Sequence, residues 1–300
     1  SYQKDYRLQG SAYLDILLMK GLIFKTSNGF NIAYKDVDIY RNRASRKDGE
    51  PNRGLYQNNL VIDLVSENTL NYVTKINQKH DIIGLLGFSA QKTTYKQAGI
   101  LGYDFATDYI HTLNAAGSIY MYENKNQLTG TWRQEESMAS FFSRFTYSYE
   151  DRYLLSASIR TDGSSKFGKD SRWGWFPSVS VGWRVTEEPF MKNVKNLKWL
   201  DQLKLRTSYG VTGTNDIVNY ANTDKLQSAP YILGTGSGTV TPGMANNSTT
   251  LGNPTLQWEQ TNEYNAGVDL SVLNNRVGFT FDYYYSTTRK LLFKKSVSSI

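Results

Sequence analysis

The stretch RVGFTFDYYYS, Arg276 to Ser286, alternates with a period of two. Val277, Phe279, Phe281, Tyr283 and Tyr285 fall on one side of an extended chain, and Arg276, Gly278, Thr280, Asp282, Tyr284 and Ser286 on the other. One side suits an apolar medium, the other water. The run before it behaves alike: Tyr264, Ala266, Val268, Leu270 and Val272 alternate with Asn265, Gly267, Asp269 and Ser271. The two runs meet at Asn274-Asn275, which reads as a tight hairpin.

The same pattern recurs upstream. Leu203, Leu205, Tyr209 and Val211 oppose Lys204, Arg206, Ser208 and Thr212, and Val179, Val181, Trp183 and Val185 oppose Ser178, Ser180, Gly182 and Arg184. Tyr153, Leu155, Ala157 and Ile159 oppose Ser156, Ser158 and Arg160, and Phe141, Phe145, Tyr147 and Tyr149 oppose Arg144, Thr146 and Ser148. Earlier runs lie near 7–18, 22–40, 59–75 and 81–97, the second passing straight through Asn28-Gly29. About ten strands result.

Their connections alternate in length. Short ones fall at Met19 to Gly21, Ile76 to His80, Glu150 to Arg152 and Asn274 to Asn275; long ones span 41–58, 98–135, 163–174 and 214–256. Thr186 to Asp201 belongs with the short set but is longer, and it is expected to hold a helical turn through Val194 to Leu200. An outer-membrane barrel has short turns at one rim and long loops at the other. Trp173, Trp175 and Phe176, then Tyr147, Tyr149 and Tyr153, then Tyr283 to Tyr285 crowd strand ends, as interfacial belts do. The fold expected is all-β, an antiparallel up-and-down transmembrane β-barrel segment. Pattern alone leaves a soluble β-sandwich open, with a soluble or surface β-rich glycan-binding module as its function.

Composition removes most chemistry. The 300 residues include no Cys and two His, so thiol catalysis, disulfides and Cys-based metal sites are excluded, and His80 and His111 offer little for a zinc or His-based catalytic centre. A membrane-embedded hydrolase would need a nucleophile, a His and an acid grouped together, which these positions do not supply. The formal charge of +7 comes from 34 Lys and Arg interleaved with 27 Asp and Glu along the chain, so no nucleic-acid partner is expected. No run approaches the roughly 20 apolar residues of a membrane helix. A mean hydropathy of −0.51 is compatible with a barrel, because only alternate residues meet lipid.

Asp162-Gly163-Ser164-Ser165 reads as a turn, and Gly234 to Gly238 as a loop tip lacking the spacing of a dinucleotide site. The doublets Glu135-Glu136 and Glu187-Glu188 read as solvated acids. No catalytic, cofactor-binding or metal-binding residue is assigned, and no substrate-binding residue is nominated.

Particular phrases go further than periodicity. Tyr147 to Gly168 (YSYEDRYLLSASIRTDGSSKFG), Arg172 to Arg184 (RWGWFPSVSVGWR), Glu187 to Met191 (EEPFM) and Leu203 to Gly213 (LKLRTSYGVTG) resemble the barrel of SusC/RagA-type TonB-linked outer-membrane proteins. Leu251 to Glu259 (LGNPTLQWE), Gly267 to Asp269 (GVD) and Arg276 to Leu292 (RVGFTFDYYYSTTRKLL) continue the match. Gly213-Thr214-Asn215 departs from it, since the family often has Gly-Asn directly. The resemblance implies about ten strands of a larger plugged barrel of about 22, with residues 1–300 all in the barrel domain and the plug and the closing C-terminal strands outside them. It also implies import of an oligosaccharide or peptide across the outer membrane of a Gram-negative bacterium, without cofactor. The implied partners are the TonB complex, acting through the plug region, a SusD-like lipoprotein and outer-membrane lipid.

Overall fold

Residues 1–46, 49–120, 129–192, 199–228, 231–233, 239–241, 243–246 and 251–293 are described in a computed structural model of the chain. Val194 to Asn196 and Leu197 to Lys198, the body of the expected helical turn, and the Gly234 to Gly238 loop tip lie outside them.

The described chain is strand almost throughout. In order it forms β1 (Tyr2–Met19), β2 (Leu22–Arg41), β3 (Arg53–Ile76), β4 (His80–Phe105), β5 (Ala116–Tyr120), β6 (Gly130–Tyr149), β7 (Tyr153–Ser164) and β8 (Trp173–Arg184). A four-residue helix α1 (Pro189–Lys192) precedes β9 (Leu200–Thr214). Four short strands follow, β10 (Leu226–Ser228), β11 (Tyr231–Leu233), β12 (Thr239–Thr241) and β13 (Met244–Asn246), and then β14 (Glu259–Val272) and β15 (Val277–Arg289). The main sheet runs β1-β2-β3-β4-β6-β7-β8-β9-β14-β15, with β5 paired to β4. Its members pair in chain order, with the short β5 and β10 to β13 off the path, the up-and-down antiparallel topology of a barrel wall. Its ten members match the ten runs read from the sequence, and β2 does pass unbroken through Asn28-Gly29.

Register turns the alternation into rows. Phe281, Val268, Leu205, Trp183, Tyr153 and Tyr149 lie side by side across six strands. The adjacent row is Asp282, Gly267, Arg206, Gly182, Leu154 and Ser148. A one-residue slip would exchange the two faces, so register is fixed wherever the faces meet different media.

Several details differ from the sequence reading. β3 and β4 are 24 and 26 residues long, so much of 41–58 and 98–135 is strand, where tilted membrane spans need only about 9 to 11 residues. The connection 214–256 carries two small antiparallel ladders, β10-β13 and β11-β12. Asp162-Gly163 is not a turn: β7 runs through to Ser164, because Arg160 Nε, 2.7 Å from Asp162 Oδ1, satisfies the carboxylate within the strand. The last β14–β15 pair is Val272 with Val277, so the hairpin spans four residues, with Leu273, Asn274 and Asn275 all left-handed, at φ 57°, 58° and 60°. Val185, buried, has left the strand for a single helical turn, and among the described residues of this connection a helix is formed by Pro189–Lys192. Phe176 is buried instead of belonging to an exposed belt, whereas Trp173, Trp175 and Tyr153 are exposed.

By contacts the chain forms two compact units, residues 1–13, 27–66 and 90–137 in the first and 14–26, 67–89 and 138–300 in the second.

Candidate functional site: a polar wall and its loop anchors

In the second unit, the polar face of β9, β14 and β15 is organised around one guanidinium. Arg206 Nη2 donates to Asp282 Oδ2 at 2.7 Å, and its Nε lies 3.3 and 3.4 Å from the two oxygens of Asp269. Lys204 Nζ is 3.9 Å from the same carboxylate. Gly267, paired with both Arg206 and Asp282, makes this crossing fit: a Cβ there would lie 2.7 Å from Arg206 Cζ and from Asp282 Oδ1. The charges thus stand on three neighbouring strands and neutralise one another. Beside them a hollow of about 330 Å³ is lined by polar side chains, among them Thr146, Ser156, Ser180, Lys204 and Asn265, together with the apolar Leu154, Leu155 and Val181. Hydroxyls, amides and paired charges suit a wetted surface that passes polar solutes without holding them tightly.

Where β7, β8, β9 and β14 give way to long connections, aromatic rings close together. Trp258 lies 5.3 Å from both Phe167 and Phe176, and all three are buried. Trp258 Nε1 donates to the Arg172 carbonyl at 2.8 Å, so the indole is satisfied although buried. Phe176 packs so closely on β9 that a Cβ at Gly213 would come within 2.1 Å of its ring. Asn215 Nδ2 donates to the buried Ser164 Oγ at 3.2 Å, tying the start of the connection after β9 to the end of β7. Arg160 adds a bond to the buried Ser140 Oγ at 2.9 Å. The phrases SKFG, RWGWFP, VTGTN and NPTLQWE therefore meet in one anchor, and Asn215, in the stretch where the family pattern is interrupted, is one of its fastenings.

The first unit has its own anchor. Asn52 Nδ2 donates to the Phe105 carbonyl at 2.9 Å and Asn52 Oδ1 accepts from Phe105 N–H at 2.7 Å, both residues being buried. Tyr40 donates to Asp108 Oδ1 at 2.6 Å and stacks on His111 at 4.0 Å. Asn52 Nδ2 also donates to Asp108 Oδ1 at 3.2 Å, and the bonds from Tyr40 first and Asn52 second hold the Asp108 carboxyl below its usual range. Tyr109 stands 95% exposed on this fastened loop. Replacing Asn52 with Ala leaves a buried N–H and carbonyl unpaired, a cost of about 1–3 kcal/mol. The expected outcome is faster amide exchange at Phe105 and easier proteolysis of residues 106–112.

At the opposite strand ends, Glu188 is a lock and not a solvated acid. It is 5% exposed and accepts from Trp183 Nε1 at 3.0 Å and Arg152 Nη1 at 3.1 Å. Hydrogen bonds from Tyr153, then Trp183, then Arg152, keep its carboxyl below the ordinary value of 4.5. Arg152 also pairs with Glu150, which meets Lys79 at 2.7 Å. Glu187 pairs with Lys192 at 2.7 Å and is half-buried. Because the folded pKa is depressed, the lock stabilises the turn above the unfolded value near 4.5 and is lost as pH falls through the folded one. Amide protection over 185–192 should fall on acidification from neutral pH through the depressed folded value, and Glu188→Gln should abolish that dependence.

Of the two histidines, His80 has Nδ1 2.8 Å from the Tyr147 hydroxyl, and His111 has Nε2 2.6 Å from the Asp108 carbonyl. Glu135 pairs with Lys92 at 3.1 Å, while Glu136 accepts from Tyr95 at 3.2 Å.

Against known proteins, the model of the TonB dependent receptor-like β-barrel family matches residues 2–299. TonB-dependent receptor P39 of Formosa agariphila is 35% identical over 288 residues, covering 94% of this chain and 26% of that receptor. TonB-dependent receptor SusC of Bacteroides thetaiotaomicron is 38% identical over 159 residues, 52% of this chain and 15% of SusC. The structure of the RagAB peptide transporter superposes with a TM-score of 0.81 at 26% identity, covering 99% of this chain and 31% of that one. The chain thus spans about a quarter of the length of the curated relatives it matches most fully. Matched in family model, sequence and strand order alike, this chain belongs to the TonB-dependent receptor β-barrels and is of the SusC/RagA type.

Proposed function

We propose that the protein carrying this wall imports an oligosaccharide or peptide across the outer membrane of a Gram-negative bacterium, and that it transports without covalent chemistry. One observation supports this most: the apolar row is exposed. Phe279, Phe281, Tyr283, Val181 and Leu205 are between 39% and 64% exposed although they share one face of the sheet. A contiguous apolar face of this kind needs lipid or a partner to cover it, whereas a sandwich would have buried it as core.

The work of transport falls to TonB acting through a plug region, and a SusD-like lipoprotein covers the mouth; SusC and the RagAB peptide transporter, which this chain resembles, support that reading. Oligosaccharide stands first and peptide second, since hydroxyls and amides on the wall suit either. The protein uses no cofactor and no nucleic-acid partner.

Single cysteines in place of Tyr109 and Asn274, in the full-length protein on intact cells, test the orientation. An impermeant maleimide should label position 109 and leave 274 protected until the outer membrane is breached. Equal labelling of both, in protein recovered from the soluble fraction, sinks the transporter reading.

A further inference from the structure

The connection after β8 raises a question that strand pairing does not answer: on which side of the wall does it fold? Its position is fixed by Glu188, and every group that holds Glu188 belongs to the apolar face. Trp183 and Tyr153 stand in the row with Leu205, Val268 and Phe281. Arg152, the third, places its guanidinium 5.9 Å over the rings of Tyr149 and Tyr153, the neighbours in that same row. The turn is therefore drawn toward the outer, apolar side and not beneath the polar one. Immediately after the lock, Pro189 and Phe190 begin α1, whose Met191 and Lys192 N–H groups donate to the Glu188 carbonyl at 3.0 and 3.1 Å. Phe190 is 56% exposed.

The described residues of its unit leave this ring bare on a short, hydrogen-bonded turn. It follows by two residues the carboxylate that Trp183 and Tyr153 hold, and those two rings stand in the apolar row with their polar ends engaged by Glu188, the arrangement expected where hydrocarbon gives way to headgroups. The charges nearby are matched, Lys192 with Glu187 and Arg152 with Glu150 and Glu188, so no net attraction for an anion is required.

We propose that Val185 to Lys192 is a membrane foot: the Glu188 lock folds the turn against the outer wall and sets Phe190 into the interfacial zone of the phospholipid leaflet at the short-turn rim. This rests on the membrane-spanning reading above. The occupant of the exposed face is lipid, because the foot continues the exposed apolar face that the membrane-spanning reading assigns to lipid.

The test uses the full-length protein reconstituted in phospholipid nanodiscs, with any other cysteines replaced and a nitroxide attached through Phe190→Cys. Collisional relaxation by oxygen, which partitions into lipid, is compared with relaxation by a neutral nickel chelate, which stays in water. Nitroxides at Phe279→Cys and Asn274→Cys supply the lipid and water references. The oxygen-to-nickel ratio at 190 should fall between the references and nearer that at 279, and Glu188→Ala should shift it toward the value at 274. A ratio at 190 equal to that at 274 overturns the foot, as does shielding from both reagents, which would mean that protein covers the ring. A ratio at 190 unmoved by Glu188→Ala overturns the role of the lock. A water-like ratio at 279 itself would overturn the membrane reading with it, which separates the two failures.

Discussion

Val268→Arg should prevent efficient assembly into a bilayer, while Asn265→Arg, three residues away on the same strand, should be accepted. Val268 sits between Leu205 and Phe281 in the apolar row, and Asn265 sits between Ser208 and Tyr284 on the opposite face. A cation at the midplane of the lipid side of a barrel strand costs about 2–4 kcal/mol, enough to reduce the folded fraction by roughly 30-fold to 1,000-fold. On the wetted side no such penalty arises. Phe279→Arg and Thr280→Arg form a second pair on β15 with the same expected contrast. The measurement is folding yield into vesicles, followed by surface level in cells. Equal losses on both faces would mean that the two sides see one medium.

The second large effect belongs to Trp258→Ala. Removing a buried indole costs about 3–5 kcal/mol, here through lost packing against Phe167 and Phe176 and a lost donor to the Arg172 carbonyl. The strands retain their own ladders, so the expected damage is local. Residues 215–223 and 251–257 should become protease-sensitive on intact cells while the wall stays folded. Unaltered protection would show that the connections are held by something other than this cluster. A variant that failed to insert at all would show the anchor to be part of the wall's own stability.

How much of this was legible beforehand depends on the range of the interactions. Arg276 to Ser286 could be read as a strand with two unlike faces because the information is local, one residue deciding the next. The resemblance phrases then gave the family. The lock was invisible by the same logic: Glu188 follows another acid and precedes a proline, a solvent-facing signature, while Arg152 is 36 residues away. Tyr40 and Asp108 are separated by 68 residues. Asp162-Gly163 misled because a turn dipeptide was judged without Arg160, which satisfies the carboxylate within the strand. Phe176 shared its surroundings with belt residues in the sequence, yet its ring turns toward Trp258, a partner contributed from beyond the next long connection. Alternation reports which side a residue faces; it does not report what waits there.

The aromatic anchor has a consequence for how such a protein can change. Phe167, Phe176, Gly213, Asn215 and Trp258 fasten the roots of the long connections to the wall, so everything between one root and the next is free to be exchanged without disturbing the strands. Recombination with crossover points at these roots, between receptors that share them, would transplant whole connections onto an unchanged wall. A lineage built this way can vary its connections as cassettes, while the alternating rows of the strands stay under one unvarying constraint.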